Sequence, residues 1–281
     1  MNEPILSLIN ISKGYGKKKV IENMTLEFQK GQSVVLAGQN GAGKSTLLRC
    51  MGGVSMLDHG EVRYGYGITK KQIGFISDAL SLFEDWNLQQ GIDFHCHVFG
   101  IKEFNDRLIK QIGLNRKDKI KHLSAGQRVI YHLSLILSQK PEVLLIDEII
   151  HLIDPYIREL LLESLIEAID SLQTTVIMVN HTFTETEKIP ERVLIMEEGA
   201  FILDEPIEQL KSKMRKVVTE TEITDGMPCI FKKMTGSFKE YFIYPFQPEL
   251  AQHLPYEFLT LDLNDIVKAF IGGSYDKKRD Q

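Results

Sequence analysis

The strongest constraint in this chain is one stretch in which a short, mostly apolar run, Ser33-Val34-Val35-Leu36-Ala37, leads without a break into Gly38-Gln39-Asn40-Gly41-Ala42-Gly43-Lys44-Ser45-Thr46. The run has the length and composition of a buried strand. The nine residues after it have the G-x-x-x-x-G-K-S spacing of a phosphate-binding loop, and a helix is expected to begin near Lys44. Each residue type has a physical reason. Gly38, Gly41 and Gly43 let the backbone turn with its N–H groups facing inward, where they and the helix N-terminus meet phosphate charge. Lys44 supplies a point charge between the two outer phosphates, the Ser45 hydroxyl is placed to ligate Mg²⁺, and Thr46 donates to the innermost phosphate. The expected nucleotide-binding set is therefore Gly38, Asn40, Gly41, Ala42, Gly43, Lys44, Ser45 and Thr46, with ATP and Mg²⁺ as the bound species.

Such a loop needs a second acid for the metal. Val143-Leu144-Leu145-Ile146-Asp147-Glu148 supplies one at the end of an apolar strand. Asp147 is expected to hold the Mg²⁺ shell. The adjacent Glu148 is expected on the other side of the strand end, where it orients and deprotonates an attacking water.

The rest of the chain places these two motifs in an α/β architecture. An antiparallel start is predicted from Ile5–Ile11 and Val20–Phe28, separated by Gly14-Tyr15-Gly16-Lys17. From about 80 to 140 the text becomes helical and aromatic, with Phe83, Trp86, Phe94 and Phe99 early, and reads as an inserted helical subdomain. Strands at Val143–Ile146, Thr175–Val179 and Arg192–Met196 alternate with a helix over Tyr156–Ser171, which implies a mostly parallel sheet covered on both faces. The division expected is 1–213 for the nucleotide-binding domain and 214–281 for a small α+β tail. That tail has strand-like Lys239–Tyr244 and Phe258–Leu261 and a last helix over Leu263–Phe270.

Composition removes several function classes. Lys and Arg number 33 against 38 Asp and Glu, a net charge of −5, so no bulk positive field exists to hold nucleic acid. Nowhere do about 18 apolar residues run uninterrupted, and Met1-Asn2-Glu3-Pro4 lacks the basic start of a signal peptide, so a cytosolic location is expected. The three cysteines, Cys50, Cys96 and Cys229, form no C-x-x-C and read as small hydrophobes. His95-Cys96-His97 is not a metal site, because helical residues two apart do not share a face.

Between the two nucleotide motifs lies Leu123-Ser124-Ala125-Gly126-Gln127. Together with the loop and Asp147-Glu148 it resembles the signature of the ABC ATPases, LSGGQ in that family, with Ala125 in place of the first glycine. The resemblance covers about residues 5–213. It implies that Tyr15 stacks on adenine, that Asp154 in Leu152-Ile153-Asp154-Pro155 belongs to the D-loop, and that His181 is the switch histidine near the γ-phosphate. It implies catalytic roles for Glu148, His181 and Lys44. It also implies that Ser124, Gly126 and Gln127 bind the γ-phosphate held by a second ATP-binding subunit, in a head-to-tail dimer, homomeric or heteromeric, around two ATP molecules. After Ile73-Gly74-Phe75-Ile76 the family usually has Pro-Gln, whereas this chain has Ser77-Asp78. Asp78 thus takes the Q-loop place, where its carboxylate is a candidate third Mg²⁺ ligand beside Ser45 and Asp147. Glu148-Ile149-Ile150-His151 replaces the usual Glu-Pro run.

The ending Leu261–Phe270 resembles the closing run of the exporter-like group of these ATPases. The resemblance therefore implies the ATP-binding subunit of an ABC transporter, peripheral on the inner face of the cell membrane, hydrolysing MgATP for a separate membrane-spanning subunit. Two alternatives stay open: a soluble ABC ATPase of the iron–sulfur scaffold type, and a nucleotide-binding regulatory module with little turnover.

Overall fold

The computed structural model describes residues 3–77, 83–149, 153–180, 183, 187, 189–223, 226–251 and 254–279. Asp78, His151 and His181 lie outside them. The chain order is β1 (Leu6–Tyr15), β2 (Lys18–Phe28), β3 (Ser33–Gly38), α1 (Lys44–Met51), β4 (His59–Tyr64), β5 (Ile73–Ser77), α2 (Leu88–Phe99), α3 (Arg107–Gln111), α4 (Ala125–Ser138), β6 (Val143–Asp147), α5 (Pro155–Leu172), β7 (Thr175–Val179), β8 (Arg192–Glu197), β9 (Ala200–Pro206) and α6 (Ile207–Lys213). After these come β10 (Arg215–Thr219), β11 (Cys229–Thr235), β12 (Phe238–Ile243), α7 (Pro248–Ala251) and α8 (Leu263–Arg279).

The central sheet has six strands in the order β5-β6-β7-β3-β8-β9, parallel except for the β8–β9 hairpin at one edge. Every residue of β3 is buried. Alternate side chains of a strand point to opposite faces, and both faces are covered. Val35 and Ala37 pack with α4, α5 and α8, whereas Val34 and Leu36 pack with α1 and with the antiparallel sheet β2-β1-β4. That second sheet turns Leu6, Leu8, Ile11, Leu26 and Phe28 onto Leu47, Leu48 and Met51 of α1. The protein is thus an α/β P-loop fold with a small antiparallel β layer.

The helical segment has a core of its own. Leu88 and Ile92 of α2, Ile109 of α3 and Tyr131 and Leu135 of α4 form it, and the Tyr131 hydroxyl donates to the Leu88 carbonyl at 3.1 Å. A Cβ on Gly91 would sit 2.1 Å from that hydroxyl, so only glycine fits there. The opposite side of α4, Val129, Ile130, Leu133 and Ile136, belongs to the core under the central sheet. One helix therefore ties the two parts together.

Three expectations about finer detail are corrected. Phe258–Leu261 is not a strand. Only Leu259 pairs, exchanging backbone hydrogen bonds of 2.8 and 2.9 Å with Lys216 in a single bridge, before the chain turns into α8. The last helix runs nine residues past its expected end at Phe270, to Arg279. Gly272 and Gly273 lie inside it because the helix presses on β11. A Cβ at Gly273 would meet the Ile230 carbonyl at 2.0 Å, and one at Gly272 would meet the Phe231 ring at 2.8 Å. Cys50 is buried as a small hydrophobe should be, but Cys229 is exposed and its thiol donates to the Phe231 carbonyl.

Candidate active site

The phosphate loop joins the end of β3 to the start of α1. Gly38, Gly41 and Gly43 have φ values of 143, 83 and 105°, in the region where side chains are strained. Gly38 is constrained further, since a Cβ there would lie 2.1 Å from the Met196 carbonyl of β8. Asn40 and Gly41 form the exposed tip, and Ala42 and Gly43 are buried behind it. The helix then starts with no acidic residue in its first turn, leaving its N–H groups and dipole free for an anion. Next to the loop lies a cavity of about 460 Å³ lined by Lys18, Lys19, Gln39, Asn40, Gly41 and the Glu197-Glu198-Gly199 turn.

Lys44 is only 5% exposed, and its ammonium lies inside the curve of the loop, donating to the Gly38 and Gln39 carbonyls at 2.8 and 2.9 Å. Burial pulls its pKa below the ordinary lysine value, and the negative charges of Glu148 and then Asp147 oppose that shift. A buried cation at the curve of the loop puts positive potential where a phosphate would lie. The Ser45 hydroxyl donates to Asp147 Oδ1 at 2.8 Å across 102 positions of sequence, and Asp147 is 3% exposed. Arg49, from the last turn of α1, stands 3.9 Å from the other Asp147 oxygen. Its part in the site has no sequence signal.

The strand register explains how Asp147 arrives. It pairs with Ser77 of β5 on one side and with Val179 of β7 on the other, so β7 stands between the strand carrying Asp147 and the strand carrying the loop. A hydroxyl and a carboxylate oxygen are hard donors of the kind Mg²⁺ takes. Among the described residues no group of three or more His, Cys, Asp or Glu is placed to hold a metal. That donor set fits an ion that retains waters and borrows phosphate oxygens, as Mg²⁺ does, rather than one enclosed by protein. Glu148 leaves the strand end with φ 50°, half-buried. A left-handed conformation at a non-glycine residue costs roughly 1–2 kcal/mol, and Glu148 shares it with six other non-glycine residues among those described.

Tyr15 closes β1 with its ring half exposed. The hairpin that carries it lies beside the loop, as a Cβ on Gly43 would touch the Val20 carbonyl of β2 at 3.0 Å, as close as the Met196 methyl of β8. Asp58 holds this hairpin, taking bonds from the Gly14 N–H at 2.7 Å and from Lys13 at 3.0 Å, while Lys13 in turn lies 5.2 Å over the Tyr15 ring. The lysine holds the Asp58 carboxyl below the usual carboxylate range.

The other expected residues among those described, Ser124, Gly126, Gln127 and Asp154, make their contacts away from the loop. Ser124 caps α4: its hydroxyl accepts from the Gln127 N–H at 3.2 Å, and Gln127 returns a bond to the Ser124 N–H at 2.9 Å. Arg128, on the same turn, binds Glu84 at 2.7 Å. Ser124 and Ala125 face solvent, whereas Gly126 is pressed on Ile157 of α5, 3.3 Å from where a Cβ would lie. Gly126 thus has a packing reason apart from any ligand. Asp154 caps α5 by accepting from the Ile157 N–H at 3.1 Å. In the triplet with two histidines, His95 Nε2 lies 2.9 Å from the Gln139 amide nitrogen, a part-buried hydrogen bond between α2 and the end of α4.

A phosphate loop at the end of a central parallel strand, with a Ser–Asp oxygen pair beside it, defines a P-loop nucleotide hydrolase. Residues 21–151 match the sequence model of the family described as ABC transporter. The linearmycin resistance ATP-binding protein LnrL of Bacillus subtilis is 30% identical over 212 residues, covering 70% of this chain and 68% of the relative. The methionine import ATP-binding protein MetN of Clostridioides difficile is 30% identical over 241 residues, covering 78% and 75%. Among solved structures, a dimeric ATP-binding cassette bound to ADP and Pi aligns with a TM-score of 0.61 at 20% identity, over 72% of this chain and 98% of that one, a likeness of fold. The chain belongs to the ABC transporter family as one of its ATP-binding subunits. It is an ATPase that binds ATP with Mg²⁺.

Proposed function

We propose that residues 1–213 form an ATP-binding domain that works as half of a head-to-tail pair, with 214–281 as an extension whose last helix closes its core. The observation that supports this reading is the placement of Ser124. It opens a well-capped helix toward solvent, with its bonding partners in the helical segment, while Lys44, Ser45 and Asp147 converge elsewhere. An exposed helix N-terminus seats an anion. Two chains meeting about a two-fold axis would bring Ser124, Gly126 and Gln127 of each to the nucleotide on the other.

In the hydrolytic step, water attacks the γ-phosphorus in line, and Glu148 takes its proton. The loop N–H groups and Lys44 bear the charge that develops on the phosphate oxygens. Ser45 and Asp147 would hold Mg²⁺, which when bound neutralises phosphate charge. Tyr15 offers its exposed face to the adenine. His181 acts at the γ-phosphate, and Asp78 adds an oxygen to the Mg²⁺ shell. For Asp78, the Asp78→Asn protein is expected to need more Mg²⁺ for half-maximal hydrolysis. A magnesium titration that superimposes on the wild type would remove Asp78 from the shell.

No helix among the described residues is long and apolar enough to cross a membrane; in the proposed reading a membrane-spanning subunit carries the transported substrate. We place its docking site on the helical segment, which makes the protein peripheral on the inner face of the membrane. Phe83 and Phe94 are about half exposed (54% and 49%), meet the half-buried Trp86 at ring distances of 4.2 and 5.5 Å, and lie 5.7 Å from each other, beside a cavity of about 130 Å³. An aromatic group left open to water is an interface feature. Phe94→Ala removes such a group without opening the core, so it is expected to weaken membrane attachment by about tenfold or more while leaving ATP affinity unchanged. Trp86→Ala should do the same with an added loss of thermal stability, because the indole also packs on the helical core. A Phe94→Ala protein that sediments with transporter-containing membranes as the wild type does would move the docking site elsewhere.

A further inference from the structure

Helix α1 turns two polar side chains toward the end of β6. Ser45 and Arg49 are four residues apart, so they are neighbours on one face of that helix. Both reach Asp147, which is 3% exposed, and they meet different oxygens of its carboxylate. The Ser45 hydroxyl donates to Oδ1 at 2.8 Å, and the Arg49 guanidinium stands 3.9 Å from Oδ2. Leu47, Leu48 and Met51 lock α1 into the core, so the helix keeps its place independently of these contacts. The Arg49 carbonyl accepts from the Val54 and Ser55 N–H groups at 2.8 and 3.0 Å, so the backbone that carries the guanidinium is pinned as well.

Among the described residues the Arg49 side chain, 42% exposed, makes no hydrogen bond and no second ion pair. At 3.9 Å it is also beyond hydrogen-bonding reach of Asp147. What it brings to the carboxylate is therefore charge rather than a directed bond. Burying a carboxylate away from any cation is costly, and Arg49 supplies a cation from the same helix that supplies Ser45. Mg²⁺ would supply another. Two cations beside one carboxylate repel each other, and in a site this enclosed the repulsion is only partly screened. Arg49 thus favours the empty site over the metal-filled one.

We propose that Arg49 sets how firmly this site holds Mg²⁺: it shares the Asp147 carboxylate with the metal, and its charge opposes the metal's. The grip on the ion is then adjusted by a residue outside the phosphate-loop motif. This rests on the reading of Ser45 and Asp147 as the groups that hold Mg²⁺. Arg49→Lys keeps the charge, and Arg49→Met removes it with a side chain of similar reach.

The test is equilibrium binding of the non-hydrolysable ATP analogue AMP-PNP to the full chain, by calorimetry, once in EDTA and once in excess Mg²⁺. The ratio of the two dissociation constants, EDTA over Mg²⁺, reads how strongly metal and nucleotide assist each other on the protein. The analogue's own affinity for Mg²⁺ is common to every variant and cancels between them. A substitution that merely loosens the nucleotide site raises both constants together and leaves the ratio alone. In Arg49→Met the ratio is expected to rise about fivefold, on the order of the effect of one partly screened charge a few ångströms from a divalent ion. Arg49→Lys should stay within about twofold of wild type, since the charge remains. Asp147→Asn removes the anion that Arg49 and the metal share, and should lower the ratio by about tenfold or more. Should Arg49→Met not fold, Arg49→Gln is read in the same assay against the same expectation. An unchanged or lower ratio in Arg49→Met, beside a lowered ratio in Asp147→Asn, overturns the proposal alone. A ratio that survives Asp147→Asn takes away the metal reading and the proposal with it. A rise in Arg49→Lys equal to that in Arg49→Met also overturns the proposal, because the effect is then not one of charge.

Discussion

Glu148→Gln is expected to lower the turnover of MgATP by about 10²-fold or more, the scale of a lost general base, while ATP binds as before. The substitution keeps the size of the side chain and its hydrogen-bonding reach and removes its basicity together with its negative charge. It also leaves the backbone question unchanged, since glutamine meets the same left-handed φ of 50° that glutamate tolerates at this position. In the proposed reading the nucleotide contacts belong to other groups, the loop N–H set, Lys44 and Ser45, and none of them is substituted. Steady-state hydrolysis and nucleotide binding measured on the same preparation separate the two effects. Near-normal hydrolysis would take Glu148 out of the base role and turn attention to another acceptor at the strand end.

The second large effect is a recovery rather than a loss. Lys44→Ala removes the ammonium that the Gly38 and Gln39 carbonyls hold at the loop. Ser124→Arg removes the cap of α4 and places a bulky cation at its exposed N-terminus. Each pure variant should be nearly inactive, because in a symmetric pair both sites carry the defect. In a mixed pair the two defects fall together in one site and leave the other with an intact loop and an intact helix terminus. With equal amounts and random pairing, about half the pairs are mixed and one site in each works, so activity should return to roughly a quarter of wild type. Activity no higher than in the pure variants would mean that the loop of one chain and the signature of another do not meet. Loss of the cap, worth about 1 kcal/mol, is too small to unfold the chain and mimic that outcome.

Much of the active centre is legible in the sequence because its chemistry is local. A phosphate loop works through consecutive backbone N–H groups, so Gly38 to Thr46 carries its own geometry, and the glycines stand where φ is positive. Asp147 and Glu148 are legible for a related reason: an apolar run sets the strand and the acid marks its end. The caps at Ser124 and Asp154 depend on residues three positions apart and are equally local. The core strands and helix expected at Val20–Phe28, Ser33–Ala37, Val143–Ile146, Tyr156–Ser171, Thr175–Val179 and Arg192–Met196 are present with bounds within two residues, whereas β1 runs four residues past its expected end at Ile11, to Tyr15.

Periodicity leaves open which distant elements meet. The strand order β5-β6-β7-β3-β8-β9 has no signal in spacing, yet it alone brings Asp147 to the Ser45 hydroxyl. Asp58 lies 44 positions from the Gly14 N–H it accepts from, and Asn264 lies 81 from Phe183. A glycine pair reads as a helix stop, but at 272–273 it lets α8 press on β11 and continue, because close backbone approach there outweighs weak helix propensity. A segment rich in strand formers, Phe258–Leu261, has one residue's worth of sheet edge to pair with, at Lys216. By itself the sequence determined the turn of Gly38 to Lys44 and the strand that ends at Asp147, since those depend on dihedral angles and residue types within a few positions. Only the tertiary structure decided how they are brought together and which residues hold them, because contacts across tens of residues are set by how the layers pack.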